Sequence, residues 1–265
     1  MIGVAFALHN TFGSSITIEN SAVNRVLRRF ARARKITFTP LTSDASLRED
    51  ARALASDQLR KRFSTALRPY LLQEVDYLEL EATFASEATR LLTERFVVYD
   101  DVARTLREVA ALNIPRVGLS GGCPAVDTRK AQIAGFTSPI IFAQDLGEED
   151  RAPVLFARIC QTLLLPADRI WFVGTDVRAE ILPAAAAGMR TIWLNRKGET
   201  FPLQRVPPDA TVSSFADILE ILSAPYTRGL LALRYIMRTV LEWSPQYVIS
   251  SEDMLGAPDP DDGSL

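Results

Sequence analysis

The chain has 265 residues, 48% of them hydrophobic, and a formal net charge of −2 from 30 basic and 32 acidic side chains. That length accommodates one large domain or a core with a smaller insert, and the apolar fraction excludes disorder along the whole chain. The near-neutral balance excludes a global field for nucleic acid or an anionic membrane. A single histidine, His9, excludes any site built on two imidazoles.

Cys123 and Cys160 match no metal-ligand spacing and fit a reducing compartment. The first residues run from Met1 through a short apolar stretch to His9 and Asn10, without the charged segment and cleavage site of a secretory signal. No apolar stretch reaches the length of a membrane helix; Arg234 and Arg238 interrupt the greasy C-terminal segment. A soluble cytoplasmic protein is predicted.

The first eight residues, MIGVAFAL, form an apolar run that stops at His9-Asn10-Thr11, the pattern of a buried strand. Residues 19–96 change texture, rich in Ala, Leu, Arg and Glu. Helices are predicted over 20–35, 46–71 (with a break before Pro69) and 84–95. From Val98 onward helices at 101–112, 126–133, 153–164, 179–187 and 217–222 alternate with strand-like runs at 116–119, 139–142, 170–173 and 191–194. That alternation predicts βαβ units around a parallel sheet. A further helix is predicted over 227–243, its apolar face covered by the same chain or by a second copy. From Glu252 the chain holds five acids and no base, the composition of a flexible tail.

In a parallel sheet, ligands approach the carboxyl ends of the strands. Those ends are marked by His9–Thr11, Ser120–Gly122 and Gly174–Asp176. Ser120, Gly121 and Gly122 offer a hydroxyl and backbone N–H groups to an anion, or simply make a tight turn. His9 is a candidate base or anion donor, or a loop residue bonded to nearby carbonyls. Thr11 offers a hydroxyl or a helix cap. Asp176 and Glu180 are weak candidates for a hard cation, and equally acids at the positive end of a helix. On the helix predicted over 20–35, Arg25, Arg28, Arg29 and Arg32 share one face. They read as a docking face for an acidic partner or phosphorylated ligand, or as a solvated surface offset by Glu74, Asp76, Glu79 and Glu81.

The stretch WFVGTDVRAEILPAAAAGMRTIWLNR, with FALHNTF at the first strand, LSGG at 119–122 and the segment 153–156 before a helix, resembles the haloacid dehalogenase-like superfamily. That resemblance covers most of residues 1–225 and implies a Rossmann-like three-layer core over residues 1–16 and 97–225 with a helical cap over 17–96; the residues beyond are read from their own pattern as a helical extension over 226–250 and a tail over 251–265. It also implies an Asp nucleophile, an Asp acid/base and Mg²⁺. Here those two aspartates are Ala7 and His9, and the glycine after them is Asn10. The motif threonine and serine remain as Thr11 and Ser120. The motif lysine aligns with Asp150, the metal-binding Asp with Thr175, and its acidic partner with Glu180. Ala7 has no atom that can form an aspartyl intermediate.

These departures predict a catalytically degenerate protein that binds a small anionic ligand or a protein partner, with no resident cofactor. The alternative is a divergent phosphatase acting through His9 or the relocated carboxylates Asp176 and Glu180, with Mg²⁺ as its cofactor. A third reading is a purely structural interaction protein. Neither nucleic acid nor a membrane is an expected partner.

Overall fold

β1 (Gly3–Ala7) is buried along its whole length, and its two-residue period sorts the core into two layers. Val4 and Phe6 join Phe12, Phe136 and Phe215 in one apolar cluster, while Ala5 and Ala7 join Val117, Phe156 and Phe172 in another. The computed structural model describes residues 1–40, 56–68, 70–143, 151–202 and 205–223.

Three helices follow β1 as an insert: α1 (Ile16–Arg34), α2 (Ser56–Ala66) and α3 (Glu74–Arg95). Each has one apolar stripe, and the stripes meet in a separate core that includes Val23, Leu27, Phe30, Phe63, Phe84 and Leu91. The chain then returns to the sheet through α4 (Val102–Ala111), β2 (Arg116–Ser120), α5 (Pro124–Ile133) and β3 (Ile140–Phe142). It continues through α6 (Arg151–Leu163), β4 (Ile170–Gly174), a π-helical turn at Val177–Ile181 and α7 (Leu182–Ala186). β5 (Arg190–Leu194), β6 (Ala210–Val212) and α8 (Asp217–Ser223) complete the core.

The strands form one parallel sheet in the order β3-β2-β1-β4-β5-β6. Apolar residues of α4 and α8 belong to the Phe6 cluster, and those of α6 and α7 to the Ala7 cluster. A parallel sheet covered by helices on both faces is the Rossmann-like three-layer architecture, here with an inserted helical cap.

The two linkers between core and insert touch. A Cβ on Gly13 would sit 2.5 Å from the Val97 carbonyl oxygen and 2.8 Å from the Phe96 ring. Beside this crossing, the Tyr99 N–H donates to the Phe12 carbonyl at 3.0 Å.

Several boundaries differ from the sequence reading. α1 begins at Ile16, four residues early. α3 begins ten residues before 84, because Gln73 and Asp76 form a capping box in which the Asp76 carboxylate accepts from the Gln73 N–H at 2.9 Å. Of the predicted 46–71 helix, the part before Ser56 lies outside the described residues. The edge strand β6 was not anticipated. The 227–243 helix, the rest of the 226–250 extension and the 251–265 tail also lie outside the described residues. Among the described residues, no helix is long and apolar enough to cross a membrane.

Candidate functional site

The carboxyl ends of β1, β4 and β5, together with the first turns of α1, line a cleft of about 740 Å³. Ligand sites of open α/β sheets lie beyond these strand ends. His9 and Asn10 form one wall. Asn10 has φ 55, a left-handed conformation that asparagine tolerates better than most non-glycine residues. The turn therefore survives without the glycine the resemblance calls for. Asn10 Oδ1 is buried and has no hydrogen-bond partner among the described residues.

Ala7, the last residue of β1, is 2% exposed, its methyl group packed into the apolar layer, and it does not line the cleft. The His9 carbonyl accepts from the Thr11 and Thr175 hydroxyls, each at 3.3 Å. Thr11 itself is fully buried and absent from the cleft wall.

The β4 loop supplies Thr175, Asp176 and Arg178 to the second wall. Asp176 Oδ1 accepts from the backbone N–H groups of Arg178 at 2.8 Å and Ala179 at 2.7 Å, the role of an N-cap. The π turn places Glu180 against Gly174, where Oε2 accepts from the N–H groups of Thr175 at 2.7 Å and Asp176 at 3.0 Å. A Cβ on Gly174 would lie 2.8 Å from that oxygen. Burial pushes the Glu180 carboxyl up to about 7, against backbone hydrogen bonds that favour its charged form. Glu180 lies behind the cleft wall rather than on it.

The β5 loop completes the site. Trp193 Nε1 donates to the Thr175 carbonyl at 3.1 Å, tying β5 to the β4 loop. Arg196 makes two bonds of 2.9 Å to Asp101 and lies over the Tyr99 ring at 4.3 Å from its centroid. Burial works against ionisation of Asp101, but Arg196 and the Phe215 N–H hold its carboxyl below the usual range. Arg196 Nε is buried without a hydrogen-bond partner among the described residues. Asn195, Lys197 and Glu199 stand on the same loop.

The β2 loop, expected to form the anion nest, stands apart from this wall. Ser120 is fully buried, and its hydroxyl donates to Asp127 at 2.5 Å while accepting from the Gly122 N–H at 3.2 Å. Gly121 is exposed. Neither Ser120 nor its two glycines lines the cleft. Asp150 lies outside the described residues.

Of the loops the sequence marked, His9–Thr11 and Gly174–Asp176 supply His9, Asn10, Thr175 and Asp176 to the cleft, whereas Tyr99, Arg178, Asn195, Arg196 and Lys197 were missed. Asn195-Arg196-Lys197, polar and basic directly after a buried strand, was the available signal. The resemblance implies Mg²⁺, and the residues present do not fit it. The Ala7 side chain offers no oxygen, the Thr11 and Thr175 hydroxyls donate to the His9 carbonyl, and one oxygen of each of the Asp176 and Glu180 carboxylates accepts from backbone N–H groups. Among the described residues, no three His, Cys, Asp or Glu side chains gather as a metal site.

No family sequence model matches the chain, and neither does any curated protein sequence. Solved structures do match. A predicted phosphoglycolate phosphatase from Haemophilus somnus is 21% identical, with a TM-score of 0.66 over 84% of this chain and 98% of that one. CbbY from Rhodobacter sphaeroides, solved with phosphate, is 15% identical, with a TM-score of 0.65 over 82% and 96%. A 2-haloacid dehalogenase from Pseudomonas syringae is 20% identical, with a TM-score of 0.60 over 84% and 99%. The chain has the haloacid dehalogenase-like fold with its cap insertion.

Proposed function

We propose that the chain binds a small hydroxylated anion in the cleft between core and cap, and that it does so without aspartyl chemistry. The observation that carries this reading is the methyl group of Ala7 at the end of β1, 2% exposed and packed into the apolar layer. Covalent catalysis needs a nucleophilic atom at that point, and backbone N–H groups engage one oxygen of each of the Asp176 and Glu180 carboxylates.

What favours an anion is the basic side of the cleft. Arg178 has no ion pair among the described residues, and the nearest carboxylate to Lys197 is Glu199 at 3.9 Å. What favours hydroxyl groups is the unmatched pair of buried atoms, an acceptor at Asn10 Oδ1 and a donor at Arg196 Nε. A buried polar atom without a partner costs about 1–3 kcal/mol, which a ligand supplying both a donor and an acceptor recovers. The two free cysteines agree with a reducing, cytoplasmic setting.

The second reading, a divergent hydrolase, draws on the Glu180 carboxyl, which burial pushes up to about 7, near the range of a general acid or base. Calorimetry with inorganic phosphate and a panel of phosphorylated and carboxylated polyols separates the two. Binding by the wild type that weakens in Arg178→Ala and Lys197→Ala, with no turnover, supports the binding protein. Hydrolysis of any panel member that disappears in His9→Gln or Glu180→Gln overturns it.

A further inference from the structure

We infer that the exposed face of α1 is a docking surface for an acidic helical segment of a partner protein. Arg25, Arg28, Arg29 and Arg32 recur at the spacing that places side chains on one helix face. At 1.5 Å rise per residue the row runs roughly 10 Å. All four are exposed, and with Ala33 they wall a shallow groove of about 360 Å³.

Such a row is unremarkable if neighbouring acids neutralise it, and α3 carries six, of which Glu94 pairs with Arg90 of its own helix. Those acids are engaged elsewhere. Arg60 takes Glu74 and Glu81, each at 2.8 Å, and Arg34 takes Asp76 and Glu79, each at 2.8 Å. Arg25 reaches Glu87 at 3.1 Å, but Arg90 holds the same carboxylate at 2.8 Å. Arg28, Arg29 and Arg32 make no ion pair among the described residues, and like charges three and four residues apart repel. The row therefore works against the isolated helix.

Charge complementarity selects the partner. Guanidinium groups match carboxylates fork to fork, and a helix with acids at the same spacing presents them in register. Among the described residues, α1 exposes no large apolar side chain that a bilayer would take up. It presents no exposed aromatic on which a base would stack.

The test is fluorescence anisotropy of a labelled helical peptide carrying glutamates at i, i+3, i+4 and i+7, titrated with the full chain at low and high salt. Saturable binding is expected, weaker by about tenfold at high salt because exposed charges are screened. Arg28→Glu/Arg29→Glu/Arg32→Glu should lose roughly tenfold or more in affinity, and the matching triple Gln variant nearly as much. The triple Lys variant should retain part of the binding, having lost the fork but not the charge. The Gln variant removes no internal ion pair, so its melting temperature should equal or exceed that of the wild type, which keeps the test informative if the Glu variant misfolds. Equal affinity of the Gln variant overturns the inference. So does absence of wild-type binding at low salt, or tighter binding of anionic vesicles or duplex RNA than of the peptide.

Discussion

Lys130 of α5 and Glu19 of α1 lie 3.0 Å apart across the boundary between core and cap, and each side chain is 4% exposed. The same ammonium meets Asp127 at 2.5 Å and the Ser15 hydroxyl at 3.2 Å. Burial works against both charges, yet the Lys130 ammonium is held above, and the Asp127 carboxyl below, its ordinary range by their mutual attraction. One cation thus serves two buried carboxylates and ties the first turn of the cap to the core. Removing it should leave both carboxylates stranded, and breaking a buried pair from one side costs about 3–5 kcal/mol. Urea unfolding at neutral pH should show a Lys130→Met loss of about that size. A Glu19→Gln/Asp127→Asn/Lys130→Met triple variant should recover most of it, because no uncompensated charge remains. Equal losses in the single and triple variants would refute the account.

Glu180 makes stability depend on pH. Its folded carboxyl titrates near 7, against an ordinary value of 4.5. Between those values the native chain holds a proton that the unfolded chain has released, so stability falls as pH rises through that window and levels off above it. Glu180→Gln should remove this slope. The variant should match or exceed the wild type at pH 8 by something on the order of 1–2 kcal/mol, since its amide oxygen can still accept from Thr175 and Asp176. Denaturant midpoints across that range provide the measurement, and a wild type whose stability rises from pH 5 to 7 excludes the assignment.

The contrast between these two carboxylate sites explains what the sequence could reveal. β1 and β4 were readable because a doubly covered parallel strand is a continuous apolar run, and GVAFA and IWFVG are such runs. The start of α3 was hidden because Val75 and Leu78 lie off its buried stripe, 68% and 56% exposed, and blur the helical period. The π turn was hidden because one extra residue between Gly174 and Gly188 leaves no compositional mark. Lys130 reaches Glu19 over 111 positions and Arg196 reaches Asp101 over 95, so neither pairing has a local signature. Ser120 could be recognised as a motif serine, but its engagement by Asp127 depends on how α5 leaves the strand.

Gly13 tests the crossing of the two cap linkers. With the Val97 carbonyl oxygen 2.5 Å from where a Cβ would sit, the nearest obstacle is backbone, which cannot rotate away as a side chain can. Gly13→Ala should force the linkers apart and cost about 1–3 kcal/mol, the range for overpacking. Val97→Ala should give no relief because the clash is with its carbonyl. Phe96→Ala in the Gly13→Ala background should recover only the part owed to the ring. Urea midpoints of the three variants decide the matter; a Gly13→Ala chain as stable as the wild type would place the linkers farther apart than described.

Asp101 joins three elements, accepting two bonds from Arg196 after β5 and one from the Phe215 N–H at 2.6 Å ahead of α8. An asparagine preserves the shape and can still accept from Phe215, but it leaves the guanidinium over Tyr99 without its counter-charge. Hydrogen bonds to charged groups contribute about 1.5–3 kcal/mol each before screening. Because the pair is about one-fifth exposed, the loss for Asp101→Asn should fall near the lower figure. Asp101 has a depressed folded pKa, so the wild-type advantage should be constant from neutral pH down to the ordinary carboxylate value near 4. It should then fade as the pH drops through the folded value, where the pair loses its charge. The same substitution should free the Arg196 head to move within the cleft, so calorimetric affinity for the anion panel should change together with stability. In Arg178→Ala affinity should change alone, since that side chain makes no ion pair among the described residues.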